Sequence, residues 1–381
     1  MCRNITYSNS STSATPALIK IIAAAAPLRF SEYMELVLYH KELGYYAQPP
    51  GHVGRAGDYF TSVSCGPAFG MILAETIASW WRSSAVSGPW RIIEPGPDTG
   101  ALAADIIEAL LASHPDVAAE MEYVTIDPLP RPRTSQQQTL ARFGTMVRCL
   151  GDTGGLKPLP TFVIANEIID ALPCRLIEFR GGAWWEIHVV ASEEEAEFEE
   201  NLVLLAENEI ITTLEKNGPF PDGYRTEVRD NHKDFLESLT QVISRGRLLF
   251  FDYGFAAPDY YQPNRTRGTL RVYQNHCALE NPLDHPGQTD ITAHVDFTAL
   301  AKSAQGLGCA VMRFEPQEFY LSRNASNLLH NWTKNPKLLR NFQSLIHPAQ
   351  LGGRFQALEF SIRENQDNCY TALRRLAMNC D

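Results

Sequence analysis

RIIEPGPDTG, residues 91–100, decides how this chain folds. Arg91 to Glu94 is a short apolar run ending in an acid, and the turn after it leads into a helical pattern from Ala101 to Ala112. Glycine serves where the backbone takes positive φ or approaches a ligand closely. A helix starting directly after such a turn offers unpaired N–H groups and the positive end of its dipole, which suit an anionic ligand group such as a carboxylate. The spacing from Glu94 through Gly96 to Gly100 is ExGxxxG, not the GxGxxG of dinucleotide-binding turns. Alone, it is equally a tight strand-to-helix turn that binds nothing.

The pattern repeats outward from this point. Glu122 to Ile126 is a second strand candidate with a helical stretch at Gln136 to Phe143, TFVIA (161–165) is a third strand and RLLFF (247–251) a fourth. Strands alternating with helices imply an α/β fold with a mostly parallel sheet, covered on both faces, whose ligands sit outside the carboxyl ends of the strands. Upstream, Ala17 to Leu43 shows helical spacing with Gly44 as its cap, a glycine-bearing loop runs from Pro49 to Asp58, and Pro67 to about Trp81 reads as another helix. Between Cys174 and about Thr226 the alternation lapses into a strand-rich insertion with an acidic run, Glu193 to Glu200, read as a solvated segment.

Composition narrows the function classes. A chain of 381 residues that is 44% hydrophobic can bury a sizeable core. Its net charge of −11 disfavours non-specific nucleic-acid binding, and no dense Lys/Arg run appears. The eight cysteines form no CxxC pair and none has zinc-finger spacing to a histidine, so they read as reduced thiols of a cytoplasmic protein with no metal. The segment from Ala17 to Pro27 is short and contains Lys20, which fits a first helix better than a signal sequence, and no membrane-spanning stretch is expected.

Polar residues follow each strand. Asp127 stands where an acid accepts hydrogen bonds from ribose hydroxyls in nucleoside-binding α/β folds, and is equally well placed as a turn residue before Pro128. Asn166, Glu167 and Asp170 follow TFVIA. Two carboxylates so close in sequence can face one cleft and bind a guanidinium through charge-assisted bonds, or can simply mark a helix N-terminus. Asp252 follows RLLFF. His294 lies in a later polar segment and on local grounds is a structural histidine, while Gly57 and Asp58 in the early loop read locally as a plain turn.

Taken together, these segments resemble the MidA-type methyltransferase family. The resemblance runs from about Ala17 to Ile362, through RFSEYMELVLYHKELGYY (29–46), GRAGDYFTS (54–62), EPGPDTGALAADI (94–106), VIANEIIDALPC (163–174), FFDYG (250–254), RTRGTLRVYQNH (265–276), QTDITAHVDFTAL (288–300) and LIHPAQLGGRFQALEF (345–360). It implies a Rossmann-like class I methyltransferase core with a helical N-terminal extension over residues 1–85, a catalytic domain over 86–381 and an inserted segment at about 175–235. S-adenosyl-L-methionine is the implied methyl donor and a protein the implied substrate, since mitochondrial members are understood to methylate an arginine of a complex I subunit. By the same resemblance Glu94, Gly96 and Gly100 form the cofactor loop, Gly57 and Asp58 lie near the cofactor, Asn166, Glu167 and Asp170 flank the methyl-transfer site, and Asp252 and His294 line the same cleft. We expect Glu167, Asp170 and His294 on the catalytic side and Gly57, Asp58, Glu94, Gly96, Gly100, Asp127 and Asn166 on the cofactor side. The chain departs from the family pattern at Asp98 and Thr99, where Gly and Arg are usual, and at Thr125, where an acid is usual. The alternative is a non-catalytic scaffold on the same fold with a weakened donor site. A nicotinamide oxidoreductase is disfavoured by the missing GxGxxG.

Overall fold

A computed structural model describes residues 14–48, 61–192, 197–274, 277–364 and 367–378. The chain forms two compact units, each assembled from separate stretches: residues 1–59, 171–231 and 258–294 make the smaller, and 60–170, 232–257 and 295–381 the larger.

The larger unit is built on eight strands: β1 (Trp90–Pro95), β2 (Met121–Ile126), β3 (Val147–Leu150), β4 (Leu159–Asn166), β5 (Ile243–Phe255), β6 (Val295–Asp296), β7 (Cys309–Pro316) and β8 (Phe355–Ile362). Their order is β7-β8-β5-β4-β1-β2-β3, with β6 beside β5. The run from β5 to β3 is parallel, and β7 and β8 complete the sheet antiparallel. In β5, Leu248, Leu249, Phe250 and Phe251 have no solvent exposure. Side chains alternate between faces of a strand, so Leu249 and Phe251 serve one face and Leu248 and Phe250 the other. The Phe251 ring meets Phe69 at 5.2 Å and Tyr320 at 5.4 Å, while Phe250 packs on Phe360 at 5.9 Å. Each such side chain stabilises the fold by about 1.5–3 kcal/mol.

Helix α1 (Ala68–Ser83) packs on α2 (Ala101–Ser113), joining the larger unit through Phe69, Ile72, Leu73 and Ile77, all fully buried. The division of the chain therefore differs from a linear cut near residue 85: α1 lies with the sheet, its buried face sharing one core with Phe251 and Tyr320. Helix α3 (Pro130–Leu140) precedes β3, and α4 (Phe297–Gly306) is capped by Asp296, whose Oδ1 accepts from the N–H groups of Thr298 and Ala299 at 3.0 and 3.1 Å.

The smaller unit holds the strand-rich insertion. Leu28–Arg29, Ala183–Ala191, Arg175–Arg180 and Tyr224–Val228 form an antiparallel sheet, with Phe198–Leu204 on the second of these. A further three-stranded sheet joins Arg271–Gln274, Cys277–Leu279 and Asp290–Thr292. The single helix expected from Ala17 to Leu43 is two helices, Ala14–Ala25 and Phe30–Tyr39. Pro27 has no N–H to continue the ladder, and Leu28 and Arg29 instead pair with Val189 and His188. Gly44 accordingly lies beyond the helix end at Tyr39 and does not cap it. Of the acidic run, residues 193–196 lie outside the described residues, and Glu200 pairs with Arg225 at 2.7 and 3.0 Å. Among the described residues no helix is long and apolar enough to cross a membrane.

Candidate active site

The sequence-expected polar groups of the larger unit gather at the carboxyl ends of β1, β2 and β4. After β1, the N–H of Gly96 still donates to Ile126 of β2 at 2.9 Å, and the N–H of Gly100 donates to Pro97 at 2.8 Å, closing the turn. Gly96 and Gly100 have φ of 63° and 81°. A Cβ on Gly96 would stand 2.6 Å from Ile168 Cδ1, and one on Gly100 would stand 3.1 Å from Leu140 Cδ1. Helix α2 then starts with no side chain capping its N-terminus, which leaves its first N–H groups and its positive dipole end for a ligand carboxylate. Asp98, in the family's usual Gly position, is exposed with φ of 47°, a conformation that Asp tolerates better than most residues.

Glu94 is almost fully buried at the end of β1, and the hydroxyl of Tyr123 on β2 donates to its Oε2 at 2.6 Å. Burial pushes the Glu94 carboxyl up to about 7, the Tyr123 bond opposes the rise, and Asp98 and Asp105 add to it. Such a carboxyl gains by meeting a cationic ligand group. Tyr123 went unnoticed in the sequence, although it precedes Thr125 by two residues and so shares its strand face.

Asp127 follows β2. Its Oδ1 accepts from the N–H of Leu129 at 2.9 Å, so the turn-residue reading is realised in the geometry, and its Oδ2 accepts from Gln136 at 3.2 Å. Burial raises its carboxyl to about 6. Gln136, which sequence reasoning passed over, has no solvent exposure and ties Asp127 to Thr125 and Asp98.

After β4 the chain does not enter a helix. The helix N-terminus considered for Asn166 to Asp170 gives way to a turn that leads into Arg175–Arg180. Asp252, fully buried, holds this turn: its Oδ2 accepts from the N–H groups of Ile169 and Asp170 at 2.9 and 3.1 Å. Its carboxyl is thus committed to backbone, and burial, then Asp170, raise it well above the usual carboxylate range. The Tyr253 hydroxyl donates to Asp170. Glu167 has φ of 52°, a strained conformation for a non-glycine residue of the kind found at functional sites. Its Oε1 accepts from the N–H of Ser62 and from Asn166 Nδ2, both at 3.1 Å. Burial, then the neighbouring Asp170 charge, push Glu167 up to about 8. With Asn166 Nδ2 spent on Glu167, Asn166 Oδ1 is left as a buried acceptor without a protein partner.

His294 belongs to the smaller unit. Its N–H donates to Thr269 Oγ1 at 3.0 Å and its carbonyl accepts from Arg229 at 2.8 Å. Burial, with Arg271, Arg265 and Arg229 nearby, lowers its imidazole to about 4, so it stays neutral near pH 7. The surrounding motif is a structural knot. Glu227 accepts from the Thr269 N–H at 2.8 Å, from Thr269 Oγ1 at 2.8 Å, from the Leu270 N–H at 3.0 Å and from the Tyr260 hydroxyl at 3.1 Å. Arg229 donates to the carbonyls of Leu172 and Ala293 as well as His294. Gly57 and Asp58 lie outside the described residues.

A parallel sheet with a glycine turn after its first strand, an acid after its second and an Asn-Glu pair after a third defines a Rossmann-like class I methyltransferase site. A model of the family described as "Putative S-adenosyl-L-methionine-dependent methyltransferase" matches residues 72–315, and the chain belongs to that family. A Burkholderia thailandensis structure bound to S-adenosyl-homocysteine is 28% identical, covers 98% of each chain and superposes with a TM-score of 0.85. The Drosophila melanogaster protein arginine methyltransferase NDUFAF7 homolog, mitochondrial, is 28% identical over 88% of this chain and 82% of its own length. The Rattus norvegicus protein arginine methyltransferase NDUFAF7, mitochondrial, is 26% identical over 91% and 84%. The methyl donor of this enzyme is S-adenosyl-L-methionine. The uncapped N-terminus of α2 is a group that could hold a carboxylate, and the Asp127 carboxyl one that could accept from ribose hydroxyls.

Proposed function

We propose that this methyltransferase modifies an arginine side chain of a protein. The observation that carries the reading is the acceptor-rich edge after β4: the Glu167 carboxyl, the Asp170 carboxyl and the partnerless Asn166 Oδ1. A guanidinium carries only donors, five N–H groups in a planar fork, so acceptors are what it needs. The names of the Drosophila and Rattus relatives support the same substrate class.

S-adenosyl-L-methionine supplies an electrophilic methyl on a cationic sulfonium. Glu94, Gly96, the α2 N-terminus and Asp127 would hold and orient it. Two cations in one desolvated site repel each other. Glu167 and Asp170 offset that repulsion, and Glu167 and Asn166 aim the attacking nitrogen. The nitrogen forms a bond to the methyl carbon as the carbon–sulfur bond breaks, and it then sheds a proton. Burial raises the Glu167 carboxyl to about 8 in the free protein; two cations beside it would favour its ionised form, which can then take that proton. Positioning of this kind supplies much of the acceleration of a two-body displacement.

The test is peptide mass spectrometry of the native proteome from cells with the protein, without it, and carrying only Glu167→Gln. Methylated arginine peptides present in the first and lost in the other two support the reading. Methylation lost from a different residue type or from a small molecule overturns it. A reducing compartment, proposed as the cytoplasm, suits the dispersed free cysteines; the relatives' names carry mitochondrial instead, and fractionation of the tagged protein decides between them.

A further inference from the structure

We propose that Gln136 is a positioning residue for the donor's ribose, orienting the Asp127 carboxylate through its side-chain amide. The proposal rests on the reading of Asp127 as the ribose acceptor.

The amide is fixed from three sides. Thr125 Oγ1 donates to Gln136 Oε1 at 2.9 Å, and the two acceptors at the other end settle that end as nitrogen. The nitrogen end then donates to the carbonyl of Asp98 at 3.0 Å and to Asp127 Oδ2 at 3.2 Å, using both of its N–H groups. A flipped amide would set its oxygen against two acceptors and lose both of those bonds, while the Thr125 hydroxyl could turn to accept. Thr125 and Gln136 have no solvent exposure, so water does not compete for these bonds. A Cβ on Gly100 would lie 3.6 Å from Gln136 Cα, so α3 sits directly against the glycine turn.

Asp127 is consequently held at both oxygens, by Leu129 N–H at Oδ1 and by Gln136 at Oδ2. Each oxygen keeps a further lone pair. The carboxylate plane is set before any ligand arrives, which reduces the ordering cost of binding a diol. Thr125, at the position where the family usually has an acid, acquires a purpose: its hydroxyl orients the amide that orients the acid. One side chain thereby couples the turn after β1 to the acid after β2.

The test is calorimetric titration with S-adenosyl-homocysteine and with its 2′,3′-dideoxyribose analogue, the readout being the ratio of the two affinities. The wild type should prefer the diol by about tenfold or more, as expected for hydrogen bonds to a charged acceptor. Asp127→Asn and Gln136→Leu should each lower that ratio severalfold, and the double variant should lower it no further. Thr125→Val, which keeps the volume and removes the hydroxyl, should lower it as well, and it decides the matter if Gln136→Leu does not fold. Equal weakening of both ligands by Gln136→Leu or Thr125→Val, with the ratio preserved, overturns the proposal and leaves Asp127 as the ribose acceptor. A ratio unchanged in Asp127→Asn overturns the underlying reading and the proposal with it.

Discussion

The Glu167 carboxylate accepts a hydrogen bond from the backbone N–H of Ser62, 105 residues earlier in the chain, at 3.1 Å. Ser62 is fully buried, and its hydroxyl donates to Gln317, which in turn donates to the carbonyl of Leu345. Glu167 is therefore held by the segment after the early loop and, through it, by the C-terminal part of the larger unit. A strained backbone at Glu167 persists because its surroundings determine it from several directions.

Glu167→Gln should separate chemistry from donor binding. The amide keeps the size of the side chain and removes its ability to ionise. Loss of a charge-assisted bond costs about 1.5–3 kcal/mol, so methyl transfer should fall roughly tenfold to a hundredfold. Affinity for S-adenosyl-homocysteine should change little. Single-turnover kinetics with radiolabelled donor checks the first part and calorimetry the second; full turnover in the variant would remove Glu167 from the mechanism.

The free protein should lose stability as the pH rises. Burial lifts Glu167 from 4.5 to about 8 and Glu94 from 4.5 to about 7. A raised folded value means that the folded state binds more protons than the unfolded chain across this window. The associated stability is fully present below about pH 4.5 and is lost as the pH climbs through 7 and 8. Melting curves at pH 5.5 and 8.5 without ligand should show a lower midpoint at the higher pH, and Glu167→Gln should narrow the gap. S-adenosyl-L-methionine, whose sulfonium favours the ionised carboxyls, should gain affinity relative to S-adenosyl-homocysteine over the same rise. A ratio of affinities flat with pH would show that these carboxyls do not sense the sulfonium.

Gly100→Ala should damage the donor turn from within. The φ of 81° is costly for any residue with a Cβ, and the new methyl would meet Leu140 Cδ1 at 3.1 Å. The strain should cost on the order of 1–2 kcal/mol. Thermal melting should therefore drop by a few degrees, and S-adenosyl-homocysteine affinity should fall in parallel. An unchanged midpoint would mean that the turn relaxes freely.

Glu227→Ala should loosen the smaller unit without touching the donor turn. The variant strands the N–H groups of Thr269 and Leu270 and the Tyr260 hydroxyl, which Glu227 now accepts. Each buried donor left unpaired costs about 1–3 kcal/mol. Hydrogen exchange at Thr269 and Leu270 should accelerate markedly; protection equal to wild type would contradict the assignment of Glu227 as the anchor of RTRGTL.

Much of the larger unit was legible in the sequence because strands buried on both faces read as apolar runs: RIIE, TFVIA and RLLFF all lie within strands of one sheet. Pro27 was the visible signal that the first helical stretch divides, and the apolar periodicity on either side of it masked the break. For Asn166 to Asp170 a helix start and a cleft-facing turn read alike, since Asn, Glu and Asp suit both, and only the distant Asp252 decides between them. Gln136 and Glu227 carried no local signal. Their roles come from partners on other segments, which spacing along one chain cannot register.

The turn from Glu94 to Gly100 should receive S-adenosyl-L-methionine. Calorimetric titration of wild-type and Glu94→Gln protein with S-adenosyl-homocysteine reads this out. The wild type should show saturable one-site binding and the variant at least about tenfold weaker binding, as for loss of a charged partner. Equal affinity in the two proteins, or no heat from the wild type at millimolar ligand, would contradict it.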